Sequence, residues 1–378
     1  MLTCNRSAAA LAALLLGAAA PASAVASFSG LGDLTGSDFY SFGYALSGDG
    51  TTVVGDSHSA NGTEAFRWNG SLTGLGDFTG GIFESSARGT NSDGTTVVGY
   101  GDTLTGHIGF TWNTTTTTLV PLAPIQAGGQ SQAYAVSGNG LVAVGSSDSL
   151  LGVQATSWIG GAPAALGDLT GGAFRSQALA ASANGLTIVG DSDSANGTEA
   201  FLWNGTMSGL GDLAGGAFDS QAFGVSPNGA LVVGRGESAS GDEAFVYQSG
   251  PGMLGLGDLP GGTFESTAYD VTDGGVVVGS SASTAGPEAF IWVGGTMYSL
   301  LDVLVANGLA AQVAGWTLVE ARAISDDGFT IAGWGTNPNG DTEAWITTIG
   351  FIPEPSTGLL FSLGLGLLAH RRGSRARR

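Results

Sequence analysis

One string, Gly-Leu-Gly-Asp-Leu or a near copy of it, returns seven times along this chain. That repetition limits the possible folds more than any other feature. Its fourth position falls at Asp33, Asp77, Pro124, Asp168, Asp212, Asp258 and Asp302, in steps of 44, 47, 44, 44, 46 and 44 residues. A fixed period of this length means that each unit is one supersecondary structure, burying its apolar face against its neighbours. Within every unit a polar segment ends in an Asp/Asn-Gly turn, followed by a Val-Val-Gly run and then a Glu-Ala-Phe-x-Trp run, or near copies of these.

The unit reads as four short strands. The first precedes the turn at Asp49-Gly50, Asp93-Gly94, Asn139-Gly140, Asn184-Gly185, Asn228-Gly229, Asp273-Gly274 or Asp327-Gly328. Asn-Gly and Asp-Gly accept the positive φ angles of a two-residue hairpin. The second strand is the β-branched run at residues 51–54 and its copies, and the third is residues 64–68 and its copies. A further turn, as at Asn69-Gly70, leads to a fourth strand containing the repeated string. Four antiparallel strands every ~44 residues match a propeller blade. No amphipathic helical pattern is present in the repeats, which excludes α-solenoids.

Seven fourth strands are available, but the first, at residues 28–34, precedes any other strand of its unit. The last triplet, about residues 320–346, has no fourth strand after it. Placing the N-terminal strand in the final blade closes the ring and leaves no open blade face. The expectation is an all-β, seven-bladed β-propeller closed by its N-terminal strand. The alternative, an open β-solenoid, needs capping segments that the sequence does not offer.

The ends read differently. Residues 1–24 have the form of a secretory signal, with Arg6 in the n-region, an apolar run over 8–20, and Ala22-Ser23-Ala24 before the cut. Cleavage after Ala26 fits almost as well. Cys4, the only cysteine, would leave with the signal, removing disulfide and thiolate chemistry from the mature chain. Residues 25–350 form the repeat domain. Residues 351–378 hold Pro353-Glu354-Pro355, an apolar run over 358–369 and an arginine cluster containing Arg371 and Arg372. That run is short against the ~20 residues that span a bilayer.

The tail resembles the PEP-CTERM sorting signal: a Pro-Glu-Pro motif, a short hydrophobic helix and a basic end, in that order. The resemblance implies export by a Gram-negative bacterium, transient membrane insertion, processing by an exosortase-type enzyme, and a place at the cell surface or in a biofilm matrix. The repeats resemble the HAF family of extracellular repeats, which carry Gly-Leu-Gly, the Asn/Asp-Gly turn, Val-Val-Gly and His-Ala-Phe-x-Trp. Here the histidine position holds glutamate in five units, Ile108 in the second and Gln154 in the third. Any role of that histidine therefore does not carry over. The resemblance implies an extracellular location and brings no activity with it.

Charge narrows the partners. The chain has no lysine, and only five arginines lie between Arg6 and the terminal cluster, against all 31 acidic residues. Nucleic-acid affinity comes from cationic neutralisation of phosphates, so a nucleic-acid role is excluded.

Candidate chemistry rests on three groups. Glu64, Glu199, Glu243, Glu288 and Glu343 recur at one blade position, where a ring of carboxylates could hold a ligand or Ca²⁺. A solvent-facing strand-entry role is the plainer reading. Asp191 and Asp193 open a segment with some likeness to a calcium loop, although its third ligand position is Ala195. Trp316, Trp334 and Trp345 depart from the shared tryptophan position of Trp68, Trp112, Trp158, Trp203 and Trp292 and are candidate glycan aromatics. The repeated Asp of the string reads as structural, since short carboxylates bond nearby backbone at turns.

No serine-hydrolase elbow is present, so a non-enzymatic chain without a resident cofactor is expected. The expected function is a binding module for polysaccharide or a protein partner. A purely structural matrix component is the alternative. A carboxylate-dependent hydrolase or lyase comes third, and would show a perturbed channel carboxylate in one blade only.

Overall fold

Each repeat folds as a four-stranded antiparallel sheet, and the causes are local. In blade 1 the strands are Ser41–Leu46, Val53–Ser59, Gly62–Trp68 and Leu72–Gly74, ordered from the inside outward. At the first turn Asp49 Oδ1 accepts the Thr51 N–H (3.0 Å) and the Ser47 hydroxyl (2.6 Å), and Gly50 takes φ 73°. The same side-chain bond to the turn recurs at Asn139, Asn184, Asn228 and Asp327. This arrangement stabilises the turn against alternative backbone paths.

The computed structural model describes residues 25–350, which form 28 strands and one short helix, Leu300–Ala306. They make a seven-bladed β-propeller. The ring closes as expected. Ser27–Gly30 is the fourth strand of blade 7, joining Thr317–Ile324, Thr330–Thr336 and Thr342–Thr348 with Ser27 opposite Thr348 and Gly30 opposite Trp345.

Alternation along the second strand explains the Val-Val pair. Successive side chains point to opposite faces, so Val53 packs towards blade 7 beside Ala332 and Ala344, while Val54 packs towards blade 2 beside Val97 and Phe110. One valine thus serves each flanking interface. Phe66, Phe110, Phe201, Phe245, Phe290 and Trp345 share one position in the third strand and are all fully buried.

A serine also links blades. Ser41, Ser85, Ser131, Ser176, Ser220 and Ser266 hold one position on the innermost strands, where each accepts a third-strand N–H of the preceding blade and donates to a carbonyl at or just after that blade's outer strand. Among the described residues no such serine joins blades 6 and 7. There the helix contributes Leu300, Val303 and Leu304, which pack with Leu309, Val313 and Leu318.

Four details differ from the sequence reading. The second strand starts at Val53 rather than residue 51 and runs on to Ser59. The repeated string leaves the outer strand at its first glycine and continues as a loop, because its next amides turn back towards the third strand. In blade 6 the turn is Gly274-Gly275, with φ 78° at Gly275, so it lies one residue later than expected. The seventh copy, around Asp302, is helical and capped by the Ser299 hydroxyl (3.3 Å from Asp302 N).

Candidate ligand site in the central channel

The glutamates do not form a ring facing the channel. Each reaches outward to the connector of its own blade. Glu64 Oε1 accepts the Gly76 N–H (3.0 Å), Glu199 that of Gly211 (3.1 Å), Glu243 that of Gly257 (3.0 Å) and Glu343 that of Gly32 (2.9 Å). The first glycine of the string leaves the room this needs. A Cβ on Gly74, Gly209, Gly255 or Gly30 would lie 2.1–2.2 Å from the carboxylate oxygen. The two residue types therefore vary together: where Glu gives way to Ile108 or Gln154, the matching glycine becomes Pro121 or Ala165. Glu288 faces Ser299 instead and accepts its hydroxyl.

The string's aspartates are architectural as well. Asp77 and Asp212 each accept two backbone N–H groups of their connectors. Asp191 and Asp193 do not sit in a cation loop. Both lie in the strand Ile188–Ser194, Asp191 Oδ2 is 3.0 Å from Arg175 Nη1, and Ser194–Gly197 is a tight hairpin. Burial pushes the Asp191 carboxyl up, against the pull of Arg175. Among the described residues no group of three or more His, Cys, Asp or Glu is placed to hold a metal ion.

The tryptophans separate. Trp345 takes the shared phenylalanine position and is fully buried. Trp316 packs edge-on to Phe28, 5.1 Å between centroids, at the helix-filled junction. Of the three, only Trp334 lies on the second strand of its blade, where it packs at a tilt against Phe42 at 4.2 Å and donates from Nε1 to Glu320 Oε2 (2.8 Å). Residues Pro353, Glu354, Pro355, Arg371 and Arg372 lie outside the described residues.

The channel is built by a device that sequence reading missed. Every innermost strand carries a β-bulge at the same place, between Gly43/Ala45, Ala87/Gly89, Ala133/Ala135, Ala178/Ala180, Ala222/Gly224, Ala268/Asp270 and Ala321/Ala323. A bulge leaves one residue unpaired and re-aims its side chain. Those residues are Tyr44, Arg88, Tyr134, Leu179, Phe223, Tyr269 and Arg322, and all seven line one cavity of about 310 Å3 on the axis. Small residues flank most of them; the bulged residue alone is large and changes from blade to blade.

Their contacts run through the middle of the molecule. The Arg88 guanidinium lies 4.0 Å over the Tyr44 ring and donates to Tyr100 Oη (2.8 Å). Arg322 lies 4.1 Å over Tyr269 and pairs with Glu320 at 2.6 Å, while Tyr269 Oη donates to Glu320 Oε1 (3.2 Å). Burial and the Asp56 charge hold the Tyr44 hydroxyl well above the usual range, so it stays protonated. Burial opposes the Arg88 charge, but Tyr44, Tyr100 and Asp56 outweigh it and raise its pKa.

The composition of this region is selective. Four of the five arginines of the repeat domain, Arg88, Arg175, Arg235 and Arg322, belong to the two inner strands of their blades. So do Tyr40, Tyr44, Tyr100, Tyr134 and Tyr269, counting Tyr40 at the entry to its strand, and His58, which stacks on Tyr40 at 4.4 Å. A signal for this was present: aligning the repeats with one another exposes a variable column between constant small residues.

One carboxylate stands out. Asp270 lines the 310 Å3 cavity at a position that is alanine or glycine in the other blades. Burial pushes its carboxyl up to about 7, although both oxygens accept backbone N–H groups, from Val271 (2.8 Å) and from Ile324 of the next blade (2.9 Å).

No family model and no curated protein matches this sequence. Solved structures with a similar fold include a TolB from Acinetobacter baumannii, 14% identical, TM-score 0.41, covering 56% of this chain and 52% of that one, about half its length. A putative TolB from Agrobacterium tumefaciens is 12% identical, TM-score 0.41, covering 87% and 91%. The Dos1 propeller is 11% identical, TM-score 0.44, covering 80% and 76%.

Proposed function

We propose that this chain is an exported, non-catalytic binding propeller whose ligand docks at the central channel. The observation that carries the reading is the bulged column. Side chains that repeat identically around the ring are engaged in turns, staples and interfaces, whereas the large side chains that differ between blades converge on the axis. Aromatic faces beside charged and hydrogen-bonding groups in a concave site are the usual make-up of a ligand pocket.

Export rests on the signal-like N-terminus and on the tail's resemblance to PEP-CTERM sorting signals. In this reading an exosortase-type enzyme processes the tail, and the domain is displayed at the surface or in the matrix, where polysaccharide is the abundant partner. Among the described residues no helix is long and apolar enough to cross a membrane.

Asp270 is the one feature that favours a hydrolase or lyase, since a perturbed channel carboxylate in a single blade is what such a site needs. Both its oxygens are taken by backbone donors within the wall, so binding remains the better account.

Co-sedimentation of the full chain with the producing organism's own extracellular polysaccharide, with calcium and with chelator, tests the proposal. The expected result is saturable pelleting that chelator leaves unchanged, because the repeated glutamates are already bonded to backbone. Absence of pelleting in both conditions sinks the polysaccharide reading in favour of a structural role or a protein partner.

A further inference from the structure

Around the channel, the seven positions that follow the Val-Val-Gly glycine or its counterpart carry Asp56, Tyr100, Ser146, Asp191, Arg235, Ser280 and Trp334. Blade 3 has serine where its neighbours have tyrosine and a buried aspartate. Beside Ser146 lies a pocket of about 350 Å3, whose lining includes Gln130, Gln132, Tyr134, Asp148, Arg175 and Gln177. Tyr134 also lines the axial cavity, so the two spaces adjoin.

The polar groups here are ordered by one another. Tyr134 Oη donates to Gln132 Oε1 (2.5 Å), which leaves Gln132 Nε2 as the donor to His107 Nδ1 (2.7 Å) and fixes the amide's orientation. The Ser146 hydroxyl donates to Tyr134 Oη (3.4 Å). Arg175 is neutralised by Asp191 at 3.0 Å and Asp193 at 3.5 Å. Gln177 pairs with Asp191 through backbone register only, and its side-chain amide has no hydrogen-bond partner among the described residues.

The pocket therefore presents donors and acceptors together and no uncompensated positive charge. A carboxylate or phosphate ligand could only accept, and would face Asp148 in the lining. A hydroxyl group both gives and accepts, and several on one ring match an array of amides and hydroxyls. Val153 adds one apolar group to the lining. On the same face of the propeller, the hairpins of blades 2 and 3 carry the exposed Leu104, Leu150 and Leu151, where the corresponding hairpins of blades 1, 4 and 5 carry Ala60-Asn61, Ala195-Asn196 and Ala239-Ser240. Resting on the binding reading above, we infer that this pocket between blades 3 and 4 is a subsite for a neutral, hydroxyl-rich ligand the size of a sugar ring.

The test is titration of the full chain with neutral hexasaccharides of glucose, mannose and galactose, and with hexagalacturonate as the anionic counterpart. At least one neutral hexasaccharide should bind, and Gln177→Ala and Ser146→Trp should each weaken it by about tenfold or more with an unchanged melting temperature. Gln177→Ala removes only a partly exposed amide, so it keeps the test open if the tryptophan variant fails to fold. Preference for hexagalacturonate overturns the neutral assignment. Wild-type binding that survives both substitutions but is lost in Phe223→Ala, which lines the axial cavity, overturns the pocket and leaves channel binding standing. If neither the hexasaccharides nor the organism's polysaccharide bind, the channel reading itself fails.

Discussion

Asp270 carries a carboxylate where six blades have alanine or glycine, and its surroundings give it a pH signature. Its folded pKa, pushed up by burial to about 7, stands above the ordinary value of 3.8. The folded state therefore binds more protons than the unfolded one between those limits, and stability falls as pH rises through them. Asp270→Ala removes this dependence. The stability of wild type relative to the variant should drop by about 2–4 kcal/mol from pH ~5 to pH ~8 in urea titrations. A difference that stays flat with pH would show that the carboxyl ionises freely. Nothing in the sequence marked this residue except that it breaks its own column. The glutamates show the opposite case: they repeat conspicuously, yet in four of the five the repetition reflects a bond to the backbone of their own connector.

At the level of the element, the bulge and the Val-Val-Gly glycine depend on each other. In blade 4 a Cβ on Gly190 would stand 1.9 Å from the Gln177 carbonyl oxygen, and its counterparts Gly55, Gly99, Gly145, Gly234, Gly279 and Gly333 face the same carbonyl at 1.7–2.0 Å. The innermost strand crowds its neighbour there because the extra residue bends it inward. Gly190→Ala should cost about 3 kcal/mol or more, since the obstructing atom is backbone and has little room to yield. Chemical denaturation measures this directly, and a cost under about 1 kcal/mol would mean the strand relaxes freely. The valines and the glycine were legible as a strand. The bulge was not, because it is a property of two strands in register, and the sequence of one strand does not display it.

For the whole molecule, closure is the main structural commitment. Blade 7 is completed only by Ser27–Gly30, whose backbone pairs with Thr342–Thr348 and whose Phe28 packs against Trp316 and Trp345. Deleting residues 25–30 exposes that strand edge and unseats the aromatic contact. The truncated chain should lose its single cooperative melting transition and self-associate on size exclusion. A melt and elution unchanged by the deletion would mean the ring does not need its fastening strand. The pairing of Ser27 with Thr348 also brings the ends of the described chain together on the face of the Asn/Asp-Gly turns. The hairpin face, with the polar pocket and the exposed leucines of blades 2 and 3, is therefore the face opposite the two ends.

The sequence by itself determined the blade count, the four-strand unit, the turns and the closure by the N-terminal strand. Those follow from side-chain alternation, turn chemistry and strand counting, all of which act over a few residues or are fixed by the repeat. Tertiary structure alone decided which polar groups are left over for a ligand. The glutamates are used by connectors that fold back on them, Trp345 by the core, and Asp191 by Arg175. Tyr44, Arg88, Tyr134, Tyr269 and Arg322 meet on the axis because the bulges turn them to one line. A side chain's availability depends on what the rest of the chain brings within hydrogen-bond distance, and that is settled only when the ring closes.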